Sequence, residues 1–285
     1  LHNRSIFFSN DDEVKHFLEK RSIENSKKHQ QPATLNVKSN LDKLTLNDMQ
    51  VFRFNFRHEK NQKILYLHGG YNTLQPSPFH WRLLDKLTLN TLHEVVLPIY
   101  PKSPDYHYLE TFKAIRDVYN QLVEEVGANN IVMMGDGSGG GLALSFVQSL
   151  INDNQEVPRK LFLLSPLLDA TLTNPNITKT LEENDILVSR FGVHQLMKSW
   201  TNDLPLSDAR ISPLYGTLKG LPPIYMYGGG REILSPDMHA FTHALEECGN
   251  DVEFKEYPKM VHDFPIYPIR QSHKVLKHIT KSILE

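Results

Sequence analysis

The run Gly135-Asp136-Gly137-Ser138-Gly139-Gly140 follows an apolar stretch, Ile131 to Met134, and opens a segment with helical spacing. Backbone N–H groups at such a helix start point at whatever binds there. Two chemistries use the arrangement. In a nucleophile elbow the sharp strand-to-helix turn lifts a serine above the sheet, and its neighbours must be small. Ser138 sits in this turn, with Gly140 two residues after it and Asp136 two residues before it. The same glycines also fit Gly-x-Gly-x-x-Gly, the dinucleotide fingerprint of an oxidoreductase. That fingerprint belongs on the first strand of its unit, with an acid about 20 residues on. Here the turn follows a later strand, and the next strand ends in Ser165-Pro166, with Asp169 too far along.

Three other segments favour the elbow. Leu67-His68-Gly69-Gly70 ends an earlier apolar run, and backbone N–H groups there can hold an oxyanion, each donor contributing about 3 kcal/mol. Gly228-Gly229-Gly230-Arg231-Glu232 places an acid just after a late strand. Met260-Val261-His262-Asp263-Phe264 sets a histidine in the loop after the last strand. The chain order serine, acid, histidine, each following a strand, is that of an α/β hydrolase. Ser138, Glu232 and His262 are therefore the candidate catalytic residues, with the amides of Gly69, Gly70 and Gly139 holding the oxyanion. A hydrolase of this type needs neither cofactor nor metal. His239 and His243, four apart on a predicted helix, and His273 and His278, five apart on another, lack a third ligand and read as solvated helix faces.

The elements that must position these residues are legible as well. Short apolar runs at 64–67, 95–97, 131–134, 161–164 and 224–227 alternate with helical stretches such as 108–126 and 142–152. That alternation predicts a mostly parallel sheet with helices on both faces, an α/β fold. Gln50 to Arg57 alternates Phe52, Phe54 and Phe56 with Arg53, Asn55 and Arg57, the pattern of a half-exposed strand. A last strand spans 252–257 and a closing helix about 269–284. Residues 1–47, with apolar groups Ile6-Phe7-Phe8 and Val14, Phe17, Leu18, read as N-terminal cap helices, and 48–285 as the catalytic domain. An insertion at about 170–214 completes the cap, where Trp81, Trp200, Phe191 and Tyr71 either line an acyl pocket or pack the cap.

Composition narrows the classes. The 31 basic and 33 acidic residues give a net charge of -2, which offers no footprint for nucleic acid. No apolar run reaches the length of a membrane span. The single cysteine, Cys248, suits a cytoplasmic location. The chain opens at Leu1 rather than Met, as after removal of an upstream leader or anchor. A homodimer is left open.

From about Lys63 onward the chain resembles the hormone-sensitive-lipase family of the α/β-hydrolase fold, bacterial esterases and acetyl hydrolases among them. The resemblance rests on His68-Gly69-Gly70, Tyr100 to Asp105, Gly135 to Leu144, Ser165-Pro166-x-x-Asp169, Ser212-Pro213-Leu214, Leu221-Pro222-Pro223, Gly229 to Asp237 and His262-x-Phe264. It implies hydrolysis of small to medium acyl esters through a Ser-His-acid triad and an acyl-enzyme. It also implies that Gly137 stands where the family has its serine and Tyr71 where it often has a third glycine. Glu232 replaces the usual aspartate, and Asp237 is the fallback acid. Three accounts of Gly137 follow: an engineered removal of the serine, a natural binder of acyl ligands without catalysis, or a displaced nucleophile at Ser138. If the nucleophile is lost, the third oxyanion donor becomes the amide of Ser138.

Overall fold

The computed structural model describes residues 8–56 and 61–285. Ile6, Phe7 and Arg57, named above, lie outside the described residues. Eight strands form one sheet: β1 (Asn40–Leu46), β2 (Met49–Asn55), β3 (Lys63–Leu67), β4 (Glu94–Pro98), β5 (Ile131–Asp136), β6 (Lys160–Leu164), β7 (Ile224–Gly229) and β8 (Val252–Tyr257). Their order is β1-β2-β4-β3-β5-β6-β7-β8. β1 and β2 pair antiparallel at one edge, β2 runs antiparallel to β4, and every pairing from β4 through β8 is parallel. The central strands are apolar throughout because both faces are covered.

Helices α2 (Pro78–Thr91) and α8 (Arg270–Leu284) cover one face, where Trp81, Leu84, Val275 and Ile279 meet Phe54, Tyr66 and Val132. Helices α3 (Tyr108–Val126), α4 (Gly137–Asn152) and α7 (Ser235–Glu247) cover the other, with Ile115, Phe146 and Phe241 in its core. The predicted strands and long helices are present, and the carboxyl ends of the parallel strands lie along the edge that carries the elbow between β5 and α4. Cys248 ends α7 and is exposed. Among the described residues no helix is long and apolar enough to cross a membrane.

Of the segments expected to form the cap, the N-terminal one carries α1 (Asp11–Asn25) and the 170–214 insertion carries α5 (Lys179–Asn184) and α6 (Arg190–Thr201). Three expectations need correction. Residues 1–47 are not all helical, since β1 lies among them as an edge strand. β2 is buried on both faces rather than half exposed: Arg53 is inside because its guanidinium forms ion pairs with Glu125 (2.7 Å) and Glu94 (3.3 Å). Trp81 lines no acyl pocket; its indole packs edge-on against Phe52 and Phe54, with ring centroids 4.9 and 5.2 Å away. A fully buried indole in a close-packed core leaves a large cavity when truncated. Trp81→Ala should therefore lower unfolding stability by about 3–5 kcal/mol in urea denaturation. A loss under about 1 kcal/mol would contradict the packing.

Candidate active site

The elbow is made by β5 running into α4. Gly137, the first residue of α4, has φ +51°, in the left-handed region that side chains other than glycine's rarely adopt. Gly139 must lack a side chain for another reason: a Cβ there would collide with the backbone carbonyls of Leu67 and His68, so its absence lets α4 press onto the end of β3. A Cβ on residue 137 would point into the site, 3.5 Å from His262 Nε2 and 3.1 Å from Asp263 Oδ2. Residue 137, rather than 138, thus holds the strained apex of the turn. Ser138 is buried, and its Oγ accepts the Asn72 amide at 3.2 Å. Among the described residues His262 Nε2 is bonded to Asp263, not to Ser138.

Glu232 and His262 come together from loops after β7 and β8. His262 Nδ1 lies 2.7 Å from Glu232 Oε2. The other oxygen, Glu232 Oε1, accepts the Gly229 amide (2.6 Å) and the Ser165 hydroxyl (2.8 Å). Asp237 stands apart in the first turn of α7, where Asn174 Nδ2 donates to it at 2.9 Å; burial, the main cause, pushes its carboxyl up to about 6. Of the two candidate acids, Glu232 is the one at the histidine.

His262 is held on its far side too. Asp263 Oδ2 lies 3.1 Å from Nε2, so each ring nitrogen faces a carboxylate. Burial by itself would lower the imidazole pKa. Asp263 and Glu232 together outweigh it and hold His262 well above its ordinary value. Asp263 is pushed up to about 6, chiefly by burial and then by Asp136 and Glu232, against the pull of His262. The residue is itself left-handed, with φ +52°, and its amide donates to Ser165 Oγ at 3.1 Å. Its second oxygen, Oδ1, is buried and has no hydrogen-bond partner among the described residues.

The loop after β3 is tied to the elbow through Asp136. Its Oδ1 accepts Tyr66 OH (2.6 Å) and the Gly69 amide (3.0 Å), and its Oδ2 accepts His80 Nε2 (2.9 Å). His80 Nδ1 receives the Ser77 amide at 2.9 Å, which leaves the ring proton on Nε2. The Gly69 amide is therefore spent on the scaffold, which corrects its assignment as an oxyanion donor. Gly70 and Tyr71 follow with φ of +116° and +58°, and among the described residues their amides meet no acceptor.

The cap is pinned to the same loops. Asp185 accepts the amides of Leu187, Val188 and Ile233, each at 2.9 Å, and so joins the insertion to the loop carrying Glu232. Asn25 of α1 donates to the carbonyls of Thr73 (2.8 Å) and Ser103 (3.1 Å). Trp200 lines a cavity of about 10 Å³ with Ser138, Leu142, Leu167 and Met197, room for about one water molecule. Phe191 is exposed on α6 and, among the described residues, lines neither pocket nor core. His239 and His243 bond to Glu256 (3.0 Å) and Glu247 (3.3 Å) respectively, and the described residues contain no cluster suited to a metal ion.

Sequence reasoning overlooked Asp263, Ser165 and the Asp136–His80 pair as parts of the site. For Asp263 a signal existed, its place directly after the histidine.

Residues 64–266 match the model of the alpha/beta hydrolase fold family. An esterase of Acinetobacter venetianus is 34% identical over 208 residues, 72% of this chain and 68% of the esterase. A triacylglycerol lipase of Mycobacterium tuberculosis is 29% identical over 77% of this chain, which spans 46% of that lipase. The crystal structure of a candidate esterase from Staphylococcus aureus superposes with a TM-score of 0.98 at 64% identity, covering 100% of this chain and 97% of that one. A hormone-sensitive lipase from a metagenome library shares the fold, with a TM-score of 0.82 at 24% identity over 95% of this chain and 97% of its own. The chain belongs to the alpha/beta hydrolase fold family, among its esterases and lipases.

Proposed function

We propose that this chain binds small acyl esters at the Gly137–His262–Glu232 site and hydrolyses them by direct attack of water, with no serine acyl-enzyme. The observation that carries the reading is the apex of the elbow. Residue 137 has the left-handed backbone and the line to His262 that a nucleophile needs, and it is glycine. The neighbouring hydroxyl of Ser138 is turned to the Asn72 amide. For Ser138 to attack, its Oγ would have to leave that amide and displace Asp263 from His262 Nε2.

The ester carbonyl oxygen fits among the amides of Gly70, Tyr71 and Ser138, the last being the residue after the apex. These donors stabilise the tetrahedral oxyanion as charge develops. The attacking water is placed beside the Asp263 carboxylate, which takes the ground a serine hydroxyl would occupy over Gly137. Glu232 orients His262, and the imidazolium lowers the energy of negative charge forming beside it. The small cavity beside Ser138, with room for about one water-sized group, accepts at most the methyl of an acetyl ester.

Three outcomes test this. Hydrolysis of p-nitrophenyl acetate by Ser138→Ala should fall by less than about tenfold, against the thousandfold or more that loss of a serine nucleophile costs. The unaltered chain should form no adduct with a fluorophosphonate by intact mass. An adduct on Ser138 would defeat the proposal. The acetate ester should also outrun the octanoate in kcat/KM by at least about tenfold, since each methylene excluded from an apolar pocket is worth about 1–3 kcal/mol.

A further inference from the structure

We infer that Asp263 is the general base of this site, taking through Oδ1 the proton of the water that attacks the ester. The inference rests on the direct-water reading above and assigns the group that drives it.

Position comes first. Asp263 Oδ2 lies 3.1 Å from His262 Nε2 and 3.1 Å from where a Cβ on residue 137 would stand. The carboxylate therefore occupies the ground that a serine hydroxyl takes in a triad. Next is the unused oxygen. Oδ1 is buried without a partner among the described residues, and a buried acceptor left unpaired is costly unless something else fills the role. A water between Oδ1 and the ester carbonyl supplies that partner and is the nucleophile. Third is the backbone. A left-handed aspartate is strained, and the strain is sustained by the bond from its amide to Ser165 Oγ, which in turn donates to Glu232. The turn holds the side chain against the imidazole of the preceding residue instead of letting it point to solvent.

His262, whose two nitrogens face Glu232 and Asp263 and which those carboxylates favour in its charged form, offers no open nitrogen to act as the base. The proton count closes on Asp263. The carboxylate accepts H⁺ from water as the water oxygen bonds to the carbonyl carbon. The tetrahedral oxyanion collapses, the bond from carbon to the alkoxy oxygen breaks, and Asp263 returns the proton to the departing alkoxide. The net change is ester plus water to carboxylic acid plus alcohol, with His262 remaining an imidazolium.

The groups facing Asp263 are His262, Glu232, Asp136, His80, Tyr66, Tyr71 and Tyr267. Burial and the two nearby carboxylates place its titration at about 6, so the basic form grows as pH rises through that value. His262 stays charged well above its ordinary range, so it adds no second inflection at that pH.

The test is steady-state hydrolysis of p-nitrophenyl acetate by the full chain and by Asp263→Asn and Asp263→Ala, each checked for its folded circular-dichroism spectrum and melting temperature. The unaltered chain should gain kcat with pH through an inflection at about 6. Both variants should lose about 10²–10⁴-fold in kcat, the usual worth of a general base, and lose the inflection. Added formate, a carboxylate small enough for the space left in Asp263→Ala, should restore at least about tenfold, which a merely structural role would not allow. Folded variants that keep full kcat and the inflection overturn the inference, as does an Asp263→Ala that formate does not rescue. If the unaltered chain turns over no ester at all, the direct-water reading fails first and this inference falls with it.

Discussion

A buried imidazole held between two carboxylates is the arrangement on which the site depends. Taking one cation out of water costs several kcal/mol, and a single ion-pair contact at an effective permittivity near 20 returns about 4 kcal/mol. One partner roughly breaks even; two make the imidazolium the stable form. Glu232 and Asp263 provide the two, at 2.7 and 3.1 Å on opposite nitrogens. A Ser-His-acid triad needs Nε2 free to accept a proton. Here that nitrogen is taken, and the hydroxyl it would have served is missing from residue 137.

The surrounding fold keeps this geometry in place through a few polar ties that cross large sequence distances. Ser165, at the end of β6, bonds both Glu232 and the Asp263 backbone and so fixes the two acids relative to each other. Asp136 fastens the loop after β3 to the elbow, Asp185 fastens the cap insertion to the acid loop, and Asn25 fastens the N-terminal helix to the carbonyls of Thr73 and Ser103. Parallel strands whose carboxyl ends lie side by side make these ties short. The same convergence explains why the cap covers this edge.

Much of this was legible in the residues alone. Apolar runs alternating with helical segments suffice for the α/β sheet, and acid and histidine in order after late strands suffice to bring Glu232 to His262. β1 escaped notice because an exposed edge strand carries charges such as Asp42 and Lys43 in place of an apolar alternation. The Gly69 amide looked free because the carboxylate that consumes it comes from Asp136, 67 residues away in the chain. Asp263 was passed over for a different reason. Adjacent residues in an extended loop point apart, and only the left-handed turn at Asp263 folds its side chain back onto its neighbour's ring. Ser138 attracted the nucleophile's role by being the sole serine in the elbow, whereas the positive φ that defines the apex belongs to Gly137.

The most direct test of this account is the protonation of His262, read from the ¹⁵N and ¹H resonances of its ring by NMR across neutral pH. Both nitrogens should carry protons at pH 7 and keep them well above the ordinary histidine range. A ring singly protonated at Nδ1, with Nε2 an open acceptor at pH 7, would return His262 to the role of base and contradict the arrangement described here.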